Sequence, residues 1–467
     1  MHPPVRLIAL ILGVFALLLS SPSAVAHEDH LGTWDPSPES ETQNVKILGS
    51  APKTSTVPSY RNSDLAFWGK TAIAGNYEGF RTIDVSDPAE PTVISDFACA
   101  GSQHDVSVWK GLLFTSIDSP LTAPECGSPR SLDAEGHTAP GFEGIRIFDI
   151  RDPANPVYKG AVATDCGSHT HTLVPDAANP GRVLLYVASY PSGALAPSAY
   201  GNSCSQLNPD GSQGHSKISV VSVPLDNPAA ASVVSEPVFE LNDRGGTPGF
   251  RGCHDISVFM EIERAASACM SEGQIWDISD LEHPRTIARV HNPAVDFFHS
   301  ATFTWDGSTV LFGDEAGGGV SPRCRTTDAS TVGAIWLYDV ASLDSLDAAT
   351  PELPLSHFKI PRVQGDKARC TMHNFNVLPI DGRYVGVSAA YSGGTTVFDF
   401  TDRTAPREVG HNDPHGANTW SSYWYNGHVY TNDTGRGLDV MLLSDSARAG
   451  AQKLPYLNPQ TQEALIG

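Results

Sequence analysis

HDVSVWKGLLFTS at residues 104–116 and GIRIFDIRDPANP at residues 144–156 decide the fold of this chain. Together they predict a strand led by a histidine, a second apolar strand and a third strand that ends in aspartate. The runs are short, alternate apolar and polar residues, and end at Gly, Pro, Asp or Ser, which is typical of antiparallel strands joined by turns. Further copies of this unit start at Ser63, His171, His254, His299, His373 and Trp420.

Seven copies of one small sheet unit predict a closed array. The third-strand aspartates Asp399 and Asp439 lie about 40 residues apart, close to the length of a four-stranded propeller blade. A unit of this size cannot bury both faces of its sheet alone, so the copies must stack around an axis. The sequence therefore predicts an all-β fold, a single seven-bladed β-propeller of four-stranded antiparallel blades.

The two ends of the repeat predict how the ring closes. Blade seven stops after its third strand, and NVKILGS at residues 44–50 resembles the missing fourth strand. We predict that this N-terminal strand pairs with blade seven and so protects an exposed sheet edge. The propeller is then expected to span residues 44–443, after a flexible leader at 27–43. The tail at 444–467 shows no repeat and is expected to pack on the outside of the ring or to stay mobile.

The first 26 residues have the pattern of a secretory signal peptide. A short apolar run follows Arg6, and Ala24-Val25-Ala26 precede the expected cleavage at His27. The run is too short to span a bilayer comfortably, and no later stretch approaches the required length of about 20 residues. We predict a protein without a transmembrane segment, secreted to the extracellular space or the periplasm, with surface association left open. An uncleaved anchor is the alternative.

The eight cysteines suit an oxidising compartment because their number is even. All of them map to one face of the predicted ring. We predict a disulfide between Cys253 and Cys269 and another between Cys324 and Cys370, whereas the other four cysteines allow three pairings. The alternative is thiolate ligation of a metal, for which residues 166–171 and 370–373 have suitable spacing.

The net charge of −22 argues against nucleic acid as a partner, because the chain repels phosphate backbones and anionic lipid surfaces. The sequence contains no EF-hand loop. It also lacks a serine-hydrolase elbow, a phosphate-cradling glycine loop and a dinucleotide fingerprint in a suitable context. Small molecules and extracellular proteins remain as partners.

Histidines recur where the first strands begin. First strands line the axis of a propeller, and their beginnings lie at the same end as the loops between second and third strands. Five imidazoles are therefore expected to ring one mouth of the channel: His104, His171, His254, His299 and His373. His169 lies two residues before His171 and is an alternative to it. Three long insertions, at residues 117–142, 191–214 and 313–332, cover the same mouth, where binding sites are often built.

Carboxylates reach this mouth from the loops between second and third strands. Glu78, Glu143 and Glu272 each precede the glycine that opens a third strand, and Asp314 and Glu315 follow the second strand of blade five. Imidazole nitrogens with carboxylate oxygens form a ligand set for a transition metal. We expect the five histidines to bind a metal ion, copper first and zinc or iron otherwise, and the three glutamates to orient ligands or move protons. The alternative is that the histidines are structural hydrogen-bond partners and that no metal is bound.

Three stretches carry a resemblance to a known family: RTIDVSDPAEP at residues 81–91, RIFDIRDPANP at 146–156 and VFDFTDRTAP at 397–406. The chain resembles the LVIVD-repeat family of secreted β-propellers over about residues 63–443, although blades three and seven depart from the motif. The resemblance implies the fold and no single activity. A looser similarity, of architecture and residue type only, links the chain to selenium-binding protein and methanethiol oxidase, which pair a propeller with a histidine-bound metal. No shared motif transfers residues from that group.

Two classes of function follow from these observations. In the first, the chain is a metal-dependent oxidoreductase or hydrolase of copper type that acts on a small substrate under the insertions. In the second, it is a non-catalytic extracellular or cell-surface module whose looped face holds a ligand. The sequence leaves open whether the chain is an enzyme.

Overall fold

The computed structural model confirms the predicted all-β class and the seven four-stranded antiparallel blades of a propeller. It describes residues 40–42, 44–53, 61–191, 196–202, 204, 215–241, 252–317, 319, 321–343, 352–362 and 364–466. Helical structure in these residues is limited to the single turn Asp445–Arg448 and the 3₁₀ turns Pro228–Ala230 and Val340–Ser342. Within the same residues, no helix is long and apolar enough to cross a membrane. The predicted signal peptide and most of the leader lie outside the described residues.

Each blade runs from an inner strand at the axis to an outer strand at the rim. Blade one consists of Asn62–Trp68, Thr71–Asn76, Gly79–Asp84 and Thr92–Ala98, and blade two of Val106–Trp109, Leu112–Leu121, Phe142–Asp149 and Val157–Ala163. Blade three consists of Thr170–Pro175, Arg182–Ala188, Ser219–Pro224 and Ser232–Ser235, and blade four of Ile256–Phe259, Arg264–Cys269, Glu272–Asp277 and Arg285–Val290. Blade five consists of Phe298–Phe303, Thr309–Asp314, Ile335–Asp339 and Ser356–Phe358, and blade six of Phe375–Val377, Val385–Ala389, Thr395–Asp399 and Arg407–Asp413. Blade seven consists of Thr419–Tyr425, His428–Asp433, Gly437–Leu443 and the N-terminal strand Val45–Pro52.

The hydrophobic core lies between neighbouring blades. Phe259 of blade four packs edge-on against Phe303 of blade five at a centroid distance of 6.1 Å. At the closure of the ring, Phe67 of blade one stacks on Tyr425 of blade seven at 4.6 Å. Inner strands are buried on both faces, whereas outer strands such as Thr92–Ala98 are half exposed. Packing of this kind holds the first strands around one axis.

The N-terminal strand closes the ring, as predicted, over Val45–Pro52 instead of residues 44–50. It pairs antiparallel with the third strand of blade seven, from Val45 opposite Leu443 to Pro52 opposite Gly437. A bulge interrupts the register before Gly49, where an added Cβ would lie 2.5 Å from the carbonyl oxygen of Ala89. Glycine is needed at this position because the turn of blade one approaches the closing strand too closely for a side chain.

All eight cysteines form disulfides, at the face where the first strands begin. The two predicted pairs, Cys253–Cys269 and Cys324–Cys370, are confirmed. The remaining four cysteines pair as Cys99–Cys126 and Cys166–Cys204. Three of the four bonds tie an insertion to the beginning of a first strand, so the loops over this mouth are fastened to the ring. Thiolate ligation is excluded for disulfide-bonded cysteines.

The C-terminal tail differs from the expectation that it packs outside the ring or stays mobile. It crosses the channel at the end opposite the histidines, where Tyr456–Leu457 pairs with blade one and Thr461–Gln462 pairs in parallel with blade four. The Asn458 side chain bonds the backbone of Val108 in blade two at 2.7 and 2.9 Å. The inner edges of the first strands present unpaired backbone groups, and the tail satisfies them at this end.

Candidate metal centre

Four imidazoles form a continuous arc at one mouth of the channel, hereafter the histidine arc. Its members are His169, His254, His299 and His373, which lie at or just before the first strands of blades three to six. Successive ring centroids are 4.4, 3.9 and 4.5 Å apart, and all four residues are buried. Adjacent blades thus bring together side chains that are far apart in sequence.

Hydrogen bonds orient three of these rings. The Nδ1–H of His373 donates to the carbonyl oxygen of Trp420 at 2.6 Å, which leaves Nε2 as the atom with a lone pair. His254 Nδ1 lies 2.9 Å from Asp255 Oδ1, and His169 Nδ1 lies 2.6 Å from Asp118 Oδ2. A metal-binding histidine usually gives its second ring nitrogen to such a carbonyl or carboxylate. His169 differs from the others because both of its ring nitrogens have a protein partner: Gln103 Nε2 lies 3.0 Å from its Nε2.

Glu315 supplies the carboxylate at the arc. Its Oε2 lies 3.5 Å from His299 Nε2 and its Oε1 lies 3.6 Å from His373 Nε2. The hydroxyl of Tyr391 donates to Oε1, and burial raises the pKa of Glu315 to about 8. Tyr391 also packs on the His373 ring, at a centroid distance of 4.6 Å. The carboxyl group is therefore held in place and is protonated at neutral pH. A bound metal ion would replace this proton.

Two sets of ligand atoms overlap at this place. His254, Asp255 and His299 form one set and His299, Glu315 and His373 the other, with the ligand atoms of each set within 4.8 Å of one another. His254 Nε2 and Glu315 Oε2 are buried without a hydrogen-bond partner among the described residues. Buried polar atoms in this condition are costly unless water or an ion satisfies them. Each set, two imidazoles with a carboxylate, therefore has the donor types that suit a transition metal.

The cavity at the arc is small. Its volume is about 20 Å³, which is enough for one water molecule or one ion. Gln460 of the tail lines the cavity together with the buried Asp64, Asp105 and Asp255. Burial and the neighbouring Asp105 raise the pKa values of Asp64 and Asp255 well above the usual range. An organic substrate does not fit in this space.

Two of the five histidines predicted as ligands have other partners. His104 Nδ1 lies 2.6 Å from the carbonyl oxygen of Asn76, and burial lowers the pKa of this imidazole to about 4. His171 Nε2 lies 2.7 Å from Ser107 Oγ, and its Nδ1 lies 3.0 Å from Asp105 Oδ2. Both rings therefore make hydrogen bonds between or within blades. His254, His299 and His373 are the predicted ligands that the fold brings together.

A signal in the sequence places His169 in the arc instead of His171. If the apolar pair Leu173-Val174 of blade three is aligned with Val258-Phe259 of blade four, His169 falls opposite His254. The structure follows this alignment, since Leu173-Val174 lie in the first strand of blade three as Val258-Phe259 do in blade four. The apolar register of a strand is a better guide than the nearest matching residue type.

The three glutamates predicted to move protons are not among the residues that line the cavity. Glu272 is buried and accepts a hydrogen bond from Gln274 Nε2 at 2.6 Å, and Glu78 is half buried. Glu143 is buried, and its pKa is raised to about 8 by burial and by the negative charges of Asp118 and Asp165. The glutamate that reaches the imidazoles is Glu315.

The substitution Glu143→Gln is expected to flatten the pH dependence of stability. The folded protein keeps a proton on Glu143 up to a pH of about 8, whereas the unfolded chain loses it near 4.5. The free energy of unfolding therefore falls as the pH rises between these values, by up to a few kcal/mol. Urea denaturation at pH 5 and pH 8 should show a smaller difference for the variant than for the parent. An unchanged difference, with exposed Glu135→Gln as control, would contradict the assignment.

Comparisons with known proteins show the fold alone. No protein-family model matches the chain, and no curated protein matches it. A putative 6-phosphogluconolactonase from Bacteroides fragilis is similar at 10% identity and a TM-score of 0.50, over 88% of this chain and 99% of that one. Hydrazine synthase from Kuenenia stuttgartiensis is similar at 9% identity and a TM-score of 0.51, over 80% of this chain and 93% of that one. At such low identities no chemistry passes from these proteins to the chain.

Proposed function

We propose that the chain is a metal-binding propeller whose ion is held by His254, His299, His373 and Glu315. The observation that carries this proposal is the overlap of the two ligand sets at His299. His254 Nε2 and Glu315 Oε2 also lack a hydrogen-bond partner among the described residues. Burial lowers the pKa of His254 well below its usual range, so this imidazole is neutral and has a lone pair to donate. Because His254 is already buried in the folded protein, metal binding does not have to remove water from its ring.

Copper is the first choice of metal and zinc or iron the alternatives. Imidazole suits all three ions, and copper(II) binds most tightly in the series of divalent metals. A bound redox metal would supply electron transfer, and a bound zinc ion would supply a Lewis acid. In either case Tyr391 fixes the carboxyl group of Glu315, and Trp420 fixes the ring of His373.

The dimensions of the cavity limit the chemistry proposed. Because the cavity has a volume of about 20 Å³, only a molecule about as small as water reaches the ligand set without movement of the surrounding side chains. We therefore favour metal binding with oxidoreductase chemistry on a very small reactant over hydrolysis of an organic substrate. Membership of the LVIVD-repeat family and secretion belong to this proposal, and the four disulfides support secretion.

A second candidate function is a binding module without turnover. The observation that favours it is the fastening of three insertions at one face by Cys99–Cys126, Cys166–Cys204 and Cys324–Cys370. Loops held in this way present a pre-organised surface to a partner, which lowers the entropic cost of binding. In this case the histidine arc is a hydrogen-bonded structural feature.

Metal titration separates these functions. Protein freed of metal with EDTA is titrated with Cu²⁺ and with Zn²⁺ in a calorimeter, and the bound metal is measured after desalting. We expect one ion per chain to remain bound, and the same stoichiometry for the control His283→Ala, which removes an exposed imidazole. Folded protein that retains neither metal would leave the binding module as the function.

A further inference from the structure

A second cavity lies on the outer side of the ring, between blades five and six. Its volume is about 670 Å³, which is within the range of small-molecule sites. Its walls are residues 324–326 and 328–330 of the blade-five insertion, residues 357–362 at the end of blade five, and residues 406–408 at the start of the outer strand of blade six. All of these residues belong to the described part of the chain. We call this cavity the blade 5/6 groove.

The groove is basic although the chain is strongly acidic. Four cations line it, Arg325, Lys359, Arg362 and Arg407, and two carboxylates, Asp328 and Glu408. Asp328 is engaged by Arg325, whose Nη2 lies 2.9 Å from Oδ1 and whose Nε lies 3.2 Å from Oδ2. The charge of Glu408 is shared among Arg362 at 3.4 Å, Thr396 at 2.8 Å and His411 at 3.1 Å. Arg407 pairs with Asp399 at 3.7 Å, so the excess of positive charge in the groove rests on Lys359, in a protein of net charge −22.

Arg362 has donors to spare. Its Nη2 donates to the carbonyl oxygen of Gly393 at 2.9 Å, which anchors the guanidinium group. Its Nε and Nη1 are buried and have no hydrogen-bond partner among the described residues. A guanidinium presents its N–H groups in a planar fork that matches the oxygens of a carboxylate or a phosphate. The Arg362 side chain is 14% exposed, so its guanidinium group borders the groove, and two of its donors lack an acceptor among the described residues.

Lys359 adds a second cation on the same wall. It lies three residues before Arg362, and its ammonium group donates to the carbonyl oxygen of Arg323. An ammonium group has three donors, so this contact leaves two of them for a ligand. His357 completes the wall with a ring that packs on Trp336 at a centroid distance of 4.9 Å. The groove thus combines cationic donors with an aromatic surface.

We propose that the blade 5/6 groove binds a small organic anion whose carboxylate or phosphate group is held by Arg362 and Lys359. The volume of the groove exceeds that of an inorganic ion, so an organic body beside the anionic group is expected to contact His357 and Phe358. This site is separate from the histidine arc, and its occupation does not depend on metal.

Calorimetry with two probes on the metal-free full-length chain tests this inference. Glutarate represents the carboxylates and inorganic phosphate represents the phosphates. We expect one of them to bind with one site per chain and a dissociation constant of about 1 mM or below, more weakly at high salt. Whichever binds more tightly identifies the anionic group. Binding of neither probe near this concentration would overturn the proposal.

Variants show whether the groove is the site. Lys359→Met and Arg362→Lys are expected to weaken binding at least about tenfold each, the second because it keeps the charge but loses the fork. The control is Arg285→Gln, which removes one positive charge outside the groove. Arg285 pairs with Asp277 at the edge of blade four, as Arg407 pairs with Asp399 in blade six. His299→Gln should bind the anion as the parent does. Affinity that is unchanged in both groove variants, with circular dichroism equal to the parent, would place the anion elsewhere.

Discussion

The substitution His299→Gln is expected to abolish stable metal binding. His299 belongs to both ligand sets, and its Nε2 lies 3.5 Å from the carboxylate of Glu315. Loss of a residue that only orients a metal ligand costs about 10- to 100-fold in affinity, so loss of the ligand itself should cost more than about 100-fold. Glutamine keeps a polar side chain in the buried site, which limits the loss of stability.

The measurement is a competition titration with a chelator of known affinity, performed on parent and variant. Three single variants complete the series. Glu315→Gln should weaken binding, because it removes the carboxylate but keeps the acceptor for Tyr391. His171→Gln should bind as the parent does, since its ring is held by Ser107 and Asp105 outside the arc. The exposed His283→Ala serves as a control for total histidine content. Equal affinities in all variants would show that the metal is bound elsewhere.

Removal of the closing strand is expected to unfold the protein at ordinary temperature. A chain that starts at residue 53 lacks Val45–Pro52 and leaves the third strand of blade seven as an open edge. The strand contributes several inter-strand hydrogen bonds at about 1 kcal/mol each and buries Val45 and Ala51. The sum is on the order of 5 kcal/mol or more, comparable with the whole stability of a typical domain.

The control for this experiment is a chain that starts at residue 44. It keeps the closing strand but lacks Ser40–Glu41, which pairs with the outer strand of blade six. Gly49→Val is a milder version of the same test, because its side chain would meet the backbone of Ala89. Thermal melts of the three proteins should rank the chain from residue 44 first and the chain from residue 53 last. A truncated chain that melts with its control would contradict the closure.

The repeat allowed the fold to be predicted because it is encoded locally. Alternation within short strands recurs along the chain, and Asp-Pro turns follow the third strands of blades one and two, so errors in one copy are corrected by the others. The disulfide Cys253–Cys269 was predictable for the same reason, since it joins the ends of adjacent strands. The ring closure followed from counting strands. Features of this kind need no knowledge of how blades contact each other.

The site could be predicted only in part because it depends on contacts between blades. Glu143, Glu272 and Glu315 all reach the same face in the sequence pattern, yet only Glu315 touches the imidazoles. The orientation of each side chain depends on the twist of its blade and on the neighbouring blade, which periodicity does not reveal. The crossing of the tail beneath the channel is likewise invisible in sequence, because residues 452–466 have no repeat and bind mainly through backbone and amide groups.

The cavity changes the functional hypothesis more than any single residue does. The insertions suggested a pocket for a substrate, whereas the space at the arc accommodates one water or one ion. Metal binding therefore becomes the central proposal, and catalysis depends on whether a very small reactant reaches the ion.

Anomalous diffraction tests the proposed centre most directly. Crystals of the protein loaded with Cu²⁺ or Zn²⁺ are measured on both sides of the absorption edge of the metal. We predict one strong anomalous peak in the axial cavity, at bonding distance from nitrogens of His254, His299 and His373 and from an oxygen of Glu315. An empty cavity in the loaded crystal, or peaks confined to exposed residues such as His137 and His283, would contradict the metal centre.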